Sequence, residues 1–299
     1  HVARLLAERG RSVAIVRHPM PYGDLVAQAV QRFATLDDLT RHACTIEEME
    51  EYEPHIRAGH VVFAGVDYEK ILRAAEGEAD IVLWDGGNND LPFYASDLEI
   101  VVVDPHRAGH ETRYYPGESN LRRADVVVVS KVATAEPARV AELEASVREI
   151  CPTARLIEGD LAIEVDHPEL LRGARALIVE DGPTTTHGGM STGAGWVAVR
   201  DHGGTPVDPR PVAVGSIADT FARHPHLDAV LPAMGYGDAQ IRDLERTIAA
   251  ADADVVVVAT PVDLRRLLTI RQPTVRVGYA YADRGTPTLG DVLDDFLAG

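Results

Sequence analysis

Lysine and cysteine are nearly absent from this chain. Its 299 residues include two lysines, Lys70 and Lys131, and two cysteines, Cys44 and Cys151. Two cysteines exclude a disulfide framework and a cysteine-rich zinc site. The lack of lysine leaves arginine as the general cation, so Lys131 stands out as more than a solubilising side chain. No apolar run approaches the ~20 residues of a membrane span; the longest, VVVV at 126–129 and 255–258, are strand-sized. With no signal peptide visible, the expected setting is cytoplasmic, with no membrane partner. Basic residues are also in deficit, 29 against 47 acidic ones, for a net charge of −18. That balance excludes a nucleic-acid backbone as the main partner, which would need positive charge to meet its phosphates. Finally, no G-x-x-x-x-G-K-[ST] phosphate loop occurs anywhere. The chain starts at His1 with a helix-like VARLLAERG and a strand-like SVAIV. In a phosphate-loop fold these follow the loop directly, so the expectation is that the loop lies just upstream.

What is present is an alternation of strand-like and helix-like segments. Strands are expected at SVAIV (12–16), VVFAGV (61–66), DIVLWD (80–85), LEIVVVDP (98–105), VVVVSK (126–131), ARLIEG (154–159), ALIVED (176–181), WVAVRD (196–201), AVLPAM (229–234), DVVVVATP (254–261) and TVRVGY (274–279). Helices are expected near 24–33, 68–79, 137–150, 238–251, 262–268 and 288–297, with TIEEMEEYEPHI (45–56) a short helix or lid. The strands are β-branched with little polar alternation, as when helices cover both faces. The pattern predicts an α/β fold with a doubly wound, mostly parallel sheet, phosphate-loop NTPase-like, with a C-terminal α/β extension. Residues 1–175 are expected to form a nucleotide-binding core lacking its phosphate loop, and 176–299 the C-terminal portion, which can continue the same sheet.

Candidate chemistry gathers where strands end, the edge at which such sheets bind ligands. Asp85 closes DIVLWD and is followed by Gly86, Gly87, Asn88, Asn89 and Asp90. A strand-end carboxylate suits Mg²⁺ beside a nucleotide phosphate, and the two asparagines suit a substrate oxygen. Arg17 and His18, in RHPMPYGD, suit a phosphate held by a proline-stiffened loop. The stretch DPHRAGHETRYYPGESNLRR (104–123) concentrates His106, Arg107, Arg113 and Arg122 in an acidic chain and suits a small polyanion. Thr185 and His187, in EDGPTTTHGGM, sit among glycines as a phosphate cradle with a proton carrier. PAMGYGD (232–238) is a weaker anion-binding turn at a helix start, and Thr260 repeats the strand-end theme as a nucleotide or subunit contact. Ser130 and Lys131 stand where guanine-specific proteins carry Asn-Lys-x-Asp. Ala133 replaces the aspartate that would accept from guanine, so ATP is expected over GTP.

These stretches, in this order, resemble the cyclic 2,3-diphosphoglycerate synthetase family. The resemblance runs through RHPMPYGDL, TIEEMEEYEPHI, DYEKIL, WDGGNNDLPF, VVVDPHRAGHE, YYPGESNLRRADVVVVSK, EDGPTTTHGGM, VLPAMGYGDAQI, ATPVDL and PTVRVGY, covering nearly the whole chain. It implies a phosphate-loop core, an additional amino-terminal domain, and use of ATP and Mg²⁺ to close a phosphoanhydride between the two phosphates of 2,3-diphosphoglycerate, giving ADP and phosphate. On that reading Asp85 would hold Mg²⁺. Asp85, Arg107 and His187 would be catalytic. Arg17, His18, Asn88, Asn89, His106, Arg113, Arg122 and Thr185 would bind substrate, and Ser130, Lys131 and Thr260 the nucleotide. The same site admits a regulatory or metallochaperone-like GTPase, or a kinase acting on another small phosphorylated acid. An apolar strand edge also admits a homodimer.

Overall fold

The computed structural model describes every residue except Pro19, Pro21, Tyr22, Asn88, Asn89, His187, Gly188, Gly189, Met234, Gly235 and Tyr236, and the side chains of Pro183 and Thr184. The chain forms two units that interleave in sequence. One comprises residues 1–35, 55–162 and 281–299; the other comprises 36–54 and 163–280.

The first unit contains a four-stranded sheet in the order Gln31–Phe33, Val61–Ala64, Val13–Arg17, Ile81–Asp85. All its pairs are parallel except the edge pair of Gln31–Phe33 with Val61–Ala64. The register sets Arg17 opposite Asp85. A second parallel run pairs Ile100–Val103 with Val126–Val129, and Val126–Val129 with Arg155–Val165. Val126–Val129 explains why strands of this chain lack polar alternation. Val127 and Val129 pack with Leu143 and Val147 of the helix Pro137–Ile150. Val126 and Val128 face the other way, onto Leu289 and Val292 of the helix Leu289–Ala298. Both faces are covered, so every position is apolar.

The second unit repeats the principle. Its parallel strands run in the order Leu231–Pro232, Arg175–Glu180, Val255–Ala259, Thr274–Arg284, with Thr205–Pro206 also paired to Arg175–Glu180. Leu177, Val179, Val256 and Val258 join one core with Leu244 and Ile248 of the helix Asp238–Ala250. Ala176, Ile178, Val255 and Val257 join the opposite core with Ala194, Ala198 and Val199. The α/β, doubly wound, mostly parallel architecture expected from sequence is therefore present.

Two expected elements differ. WVAVRD lies in a helix, Ala194–Asp201. Its β-branched residues favour a strand locally, but the Glu180 carboxylate accepts from the N–H groups of Gly193 (3.1 Å) and Trp196 (2.9 Å), capping a helix start. Gly195 lets that helix close on the sheet: a β-carbon there would lie 2.8 Å from both Ala259 Cβ and Ile178 Cγ2. The helix expected near 24–33 is a single turn, Gln28 N–H to Asp24 carbonyl, leading into the strand Gln31–Phe33. The carbonyls of Gln28 and Ala29 accept instead from Val66 and Asp67, a non-local partnership that ends the helix.

Candidate functional site

In the first unit, two adjacent parallel strands deliver Arg17 and Asp85 side by side, and Arg17 Nη1 lies 2.7 Å from Asp85 Oδ2. His55, from the helix Ile46–Arg57, donates from Nε2 to the same oxygen at 3.0 Å. Burial pushes the Asp85 pKa up, but the bonds from His55 and Arg17 outweigh it and hold the carboxyl below its usual range. Asp85 is therefore ionised at neutral pH. Both of these bonds end on Oδ2. The carboxylate thus fits Mg²⁺, which commonly takes one or two carboxylates and fills its remaining positions with phosphate oxygens and water. Among the described residues no group of three or more His, Cys, Asp and Glu side chains could hold a metal by itself.

Beyond Asp85 the chain turns back through Asp90, whose Oδ2 is 2.6 Å from His18 Nδ1. Asn120 Nδ2 donates to the Asp90 carbonyl at 2.7 Å, which ties the 104–123 segment to this loop. Asn120 Oδ1 and Tyr68 Oη are among the buried polar atoms here that have no hydrogen-bond partner among the described residues. Burial and the Asp90 charge push the Tyr68 phenol up to about 12, so it remains a neutral donor. Tyr68 stacks on Phe93 at 4.0 Å between ring centres, and Trp84 meets Phe93 and Tyr94 edge-on, giving the loop one aromatic wall.

The 104–131 region forms a second group in this unit. Lys131, in a left-handed conformation (φ 56°), reaches Asp104 Oδ2 at 2.7 Å. The Ser130 hydroxyl donates to the Val103 carbonyl at 3.1 Å. His106 Nε2 lies 2.9 Å from Thr134 Oγ1. A carboxylate does stand beside this element: Ala133 N–H donates to Asp160 Oδ1 at 2.6 Å, and Arg284 pairs with Asp160 at 3.3 Å. Arg107 and Arg113 are exposed, and Arg122 is held by Glu118 at 2.6 Å one helical turn away.

The second unit carries a different chemistry. Glu180 is buried at a strand end, and burial lifts its pKa to about 7 despite three backbone N–H donors, from Trp196, Gly195 and Gly193. Asp181 follows it. Glu50 comes in from the helix Ile46–Arg57 and shares a hydrogen bond with Asp181. The Thr185 hydroxyl donates to the carbonyls of Asp181 and Gly182 at 3.0 Å each, and its own carbonyl is 3.0 Å from His226 Nε2. Thr260 donates to the Val262 carbonyl at 2.8 Å.

Of the residues singled out from sequence, the structure brings Arg17, His18 and Asp85 together and gathers His106, Ser130 and Lys131 in the second group. Asn88, Asn89 and His187 lie outside the described residues, as do Met234, Gly235 and Tyr236 of PAMGYGD. His55, Asp90, Tyr68, Asn120 and Glu50 were not singled out. The one available signal was the acidic helix TIEEMEEYEPHI, too charged for its polar residues all to face water if one side packs.

No family model matches the chain. It is 58% identical over 296 residues to a protein of Thermococcus kodakarensis named arginine synthetase ArcE, a match spanning 99% of this chain and 66% of that protein. The chain thus spans slightly less than two thirds of that relative's length. Among solved structures it is similar to apo LpxK from Aquifex aeolicus in complex with ATP, at TM-score 0.54 and 13% identity, covering 99% of this chain and 81% of that one. At 13% identity that likeness bears on the α/β fold alone.

Proposed function

We propose that the chain is the larger part of an ATP-dependent synthetase that activates a substrate oxygen by phosphorylation and then displaces phosphate with a second nucleophile. The observation that carries this reading is the 58% identity to a protein named a synthetase. Asp85 supports it as a strand-end carboxylate kept ionised by Arg17 and His55. In phosphoryl transfer the protein mainly positions groups and offsets charge, and a bound Mg²⁺ would neutralise charge on the transferred phosphoryl group. Arg17 and His18 are placed to orient phosphate oxygens, and Tyr68 and Asn120 offer a neutral donor and acceptor beside them.

The finer reading concerns the acceptor, and the relative's name favours arginine as the product. Arginine differs from its ureido analogue, citrulline, by nitrogen in place of one oxygen. Making it needs attack of the ureido oxygen on the γ-phosphorus with loss of ADP. Ammonia then adds to the carbon, phosphate departs, and a proton passes to a base. The family resemblance favours 2,3-diphosphoglycerate, whose second phosphate would be the internal nucleophile. The basic residues of 104–123 support that alternative. In both, holding the partners together supplies much of the barrier reduction.

The test uses the full-length protein with ATP and Mg²⁺. One reaction contains citrulline and ammonium, the other 2,3-diphosphoglycerate, and both are followed by ³¹P NMR and amino-acid analysis. Arginine forming in step with ADP and phosphate is the expected result. A cyclic phosphoanhydride signal would select the second acceptor. ATP binding without either product would remove the synthetase reading. Asp85→Asn should lower turnover at least ~100-fold while the protein stays folded, and unchanged turnover would remove Asp85 from the site.

A further inference from the structure

We infer that Asn120 and Tyr68 recognise a neutral amide or ureido group of the substrate, with Asn120 Oδ1 accepting from its N–H and the Tyr68 hydroxyl donating to its carbonyl. The inference rests on the proposed function for the presence of a substrate beside Asp85; the chemistry of the recognised group follows from the two side chains.

Both side chains are fixed to one short segment of the first unit, Asp90 to Tyr94. Asn120, in the helix Tyr115–Arg123, donates from Nδ2 to the Asp90 carbonyl at 2.7 Å. Tyr68 opens the helix Tyr68–Glu76 and stacks on Phe93, and its own carbonyl accepts from the Tyr94 hydroxyl at 2.9 Å. The bond to Asp90 decides which way the Asn120 amide points: the atom facing a carbonyl must be nitrogen, so the other is the oxygen, an acceptor. That oxygen and the Tyr68 hydroxyl are both buried, and neither makes a hydrogen bond among the described residues. Folding accounts for neither. Asparagine is a poor helix former, and at 8% exposure Asn120 has given up water for a bond that uses its nitrogen alone. The Tyr68 ring would stack on Phe93 equally well without its hydroxyl. Proteins seldom keep buried polar atoms that nothing ever satisfies.

The pair defines what it takes. An acceptor with a donor is complementary to a group carrying both N–H and C=O, the pattern of an amide or a ureido group. The Tyr68 hydroxyl keeps its proton for this, since burial and the Asp90 charge push its pKa up to about 12. Phosphate and carboxylate oxygens chiefly accept, so they leave Asn120 Oδ1 unsatisfied. An ammonium or guanidinium only donates, so it leaves the Tyr68 proton without an acceptor. The wall of Tyr68, Phe93 and Trp84 favours the same choice. Phe93 is 60% exposed, and a planar amide lies flat on an aromatic face where a tetrahedral phosphate gains nothing.

The test is calorimetric titration of the full-length protein in the presence of Mg²⁺ and a non-hydrolysable ATP analogue. The probes are citrulline, which carries a ureido group, norvaline, which has the same amino-acid head and alkyl chain without it, and 2,3-diphosphoglycerate. The variants are Tyr68→Phe, which removes one oxygen and keeps the ring, and Asn120→Ala. Folding of each is checked by thermal unfolding, and Tyr68→Phe keeps the test decisive should Asn120→Ala fold poorly. The site requires the parent to bind citrulline at least ~10-fold more tightly than norvaline, and each folded variant to lose at least ~5-fold on citrulline with nucleotide affinity unchanged. It also requires the thermal midpoint of ligand-free Tyr68→Phe to stay at or above the parent's, because the hydroxyl makes no bond there that the variant could lose. Equal affinity for citrulline and norvaline would overturn the inference. So would citrulline affinity unaltered in the variants, tighter binding of 2,3-diphosphoglycerate that the variants abolish, or a parent that binds none of the three. A lowered midpoint in Tyr68→Phe with citrulline binding intact would return the hydroxyl to the fold and overturn it too. Loss of citrulline binding in the variants, with no arginine formed by the parent from citrulline, ammonium and ATP, would sustain the site while removing the synthetase reading. Arginine formed by the variants with the parent's KM for citrulline would do the reverse.

Discussion

Asp85 and Glu50 show how the same functional group takes opposite states in one chain. Asp85 is bonded by Arg17 and His55 and stays ionised. Glu50 is buried against other acids, which pushes its pKa up to about 9, and burial lifts Glu180 to about 7. The consequence for stability has a definite sign. Between the ordinary glutamate value and these raised ones, the folded chain holds protons that the unfolded chain has lost. Stability therefore falls as pH rises, up to about 7 for Glu180 and up to about 9 for Glu50. Glu50→Gln should flatten this slope and gain about 1–3 kcal/mol near the upper end of the window. Thermal midpoints for both proteins across that pH range would check it, and parallel curves would show that Glu50 is not the titrating group.

Among the elements, the helix Ala194–Asp201 depends most on close approach. Gly195→Ala would place a methyl 2.8 Å from Ala259 Cβ and Ile178 Cγ2, both in or beside packed strands. The expected cost is about 1–3 kcal/mol, read as a lowered urea midpoint, and an unchanged midpoint would mean the helix can simply move outward. The same helix marks the limit of what sequence reveals. VVVV at 126–129 was legible as a strand because two-sided burial writes itself as an unbroken apolar run. WVAVRD was not legible as a helix, because its start is capped by Glu180 from another strand. Asp85 could be picked out for its place after DIVLWD. Glu50 and His55 could not, since they sit in a helix so acidic that it reads as solvated. Only tertiary partners, such as Arg266 on the fully buried Glu53 at 2.9 Å, show which of its faces is inside.

At the scale of the whole molecule, the net charge of −18 dominates. Like charges on a compact body repel, and the repulsion is screened over ~30 Å at 0.01 M salt and ~8 Å at physiological ionic strength. The thermal midpoint should therefore rise by a few degrees as sodium chloride goes from ~0.01 to ~0.3 M. A fall would mean that exposed ion pairs such as Arg32–Glu78 outweigh the net repulsion.

The interleaving of the two units also governs how the protein is made. Residues 281–299 return to the first unit, where Leu289 and Val292 cover Val126, Val128 and Ile157. Arg9 is bound there by Asp294 and by the Gly290 carbonyl. On the ribosome, that face of the first unit has no cover until translation has passed residue 292. The first unit therefore completes its packing only after the second unit's residues have been made, unlike domains that finish folding in order from the amino end. The strands Val126–Val129 and Arg155–Val165 stay open on one face until the helix Leu289–Ala298 has been made.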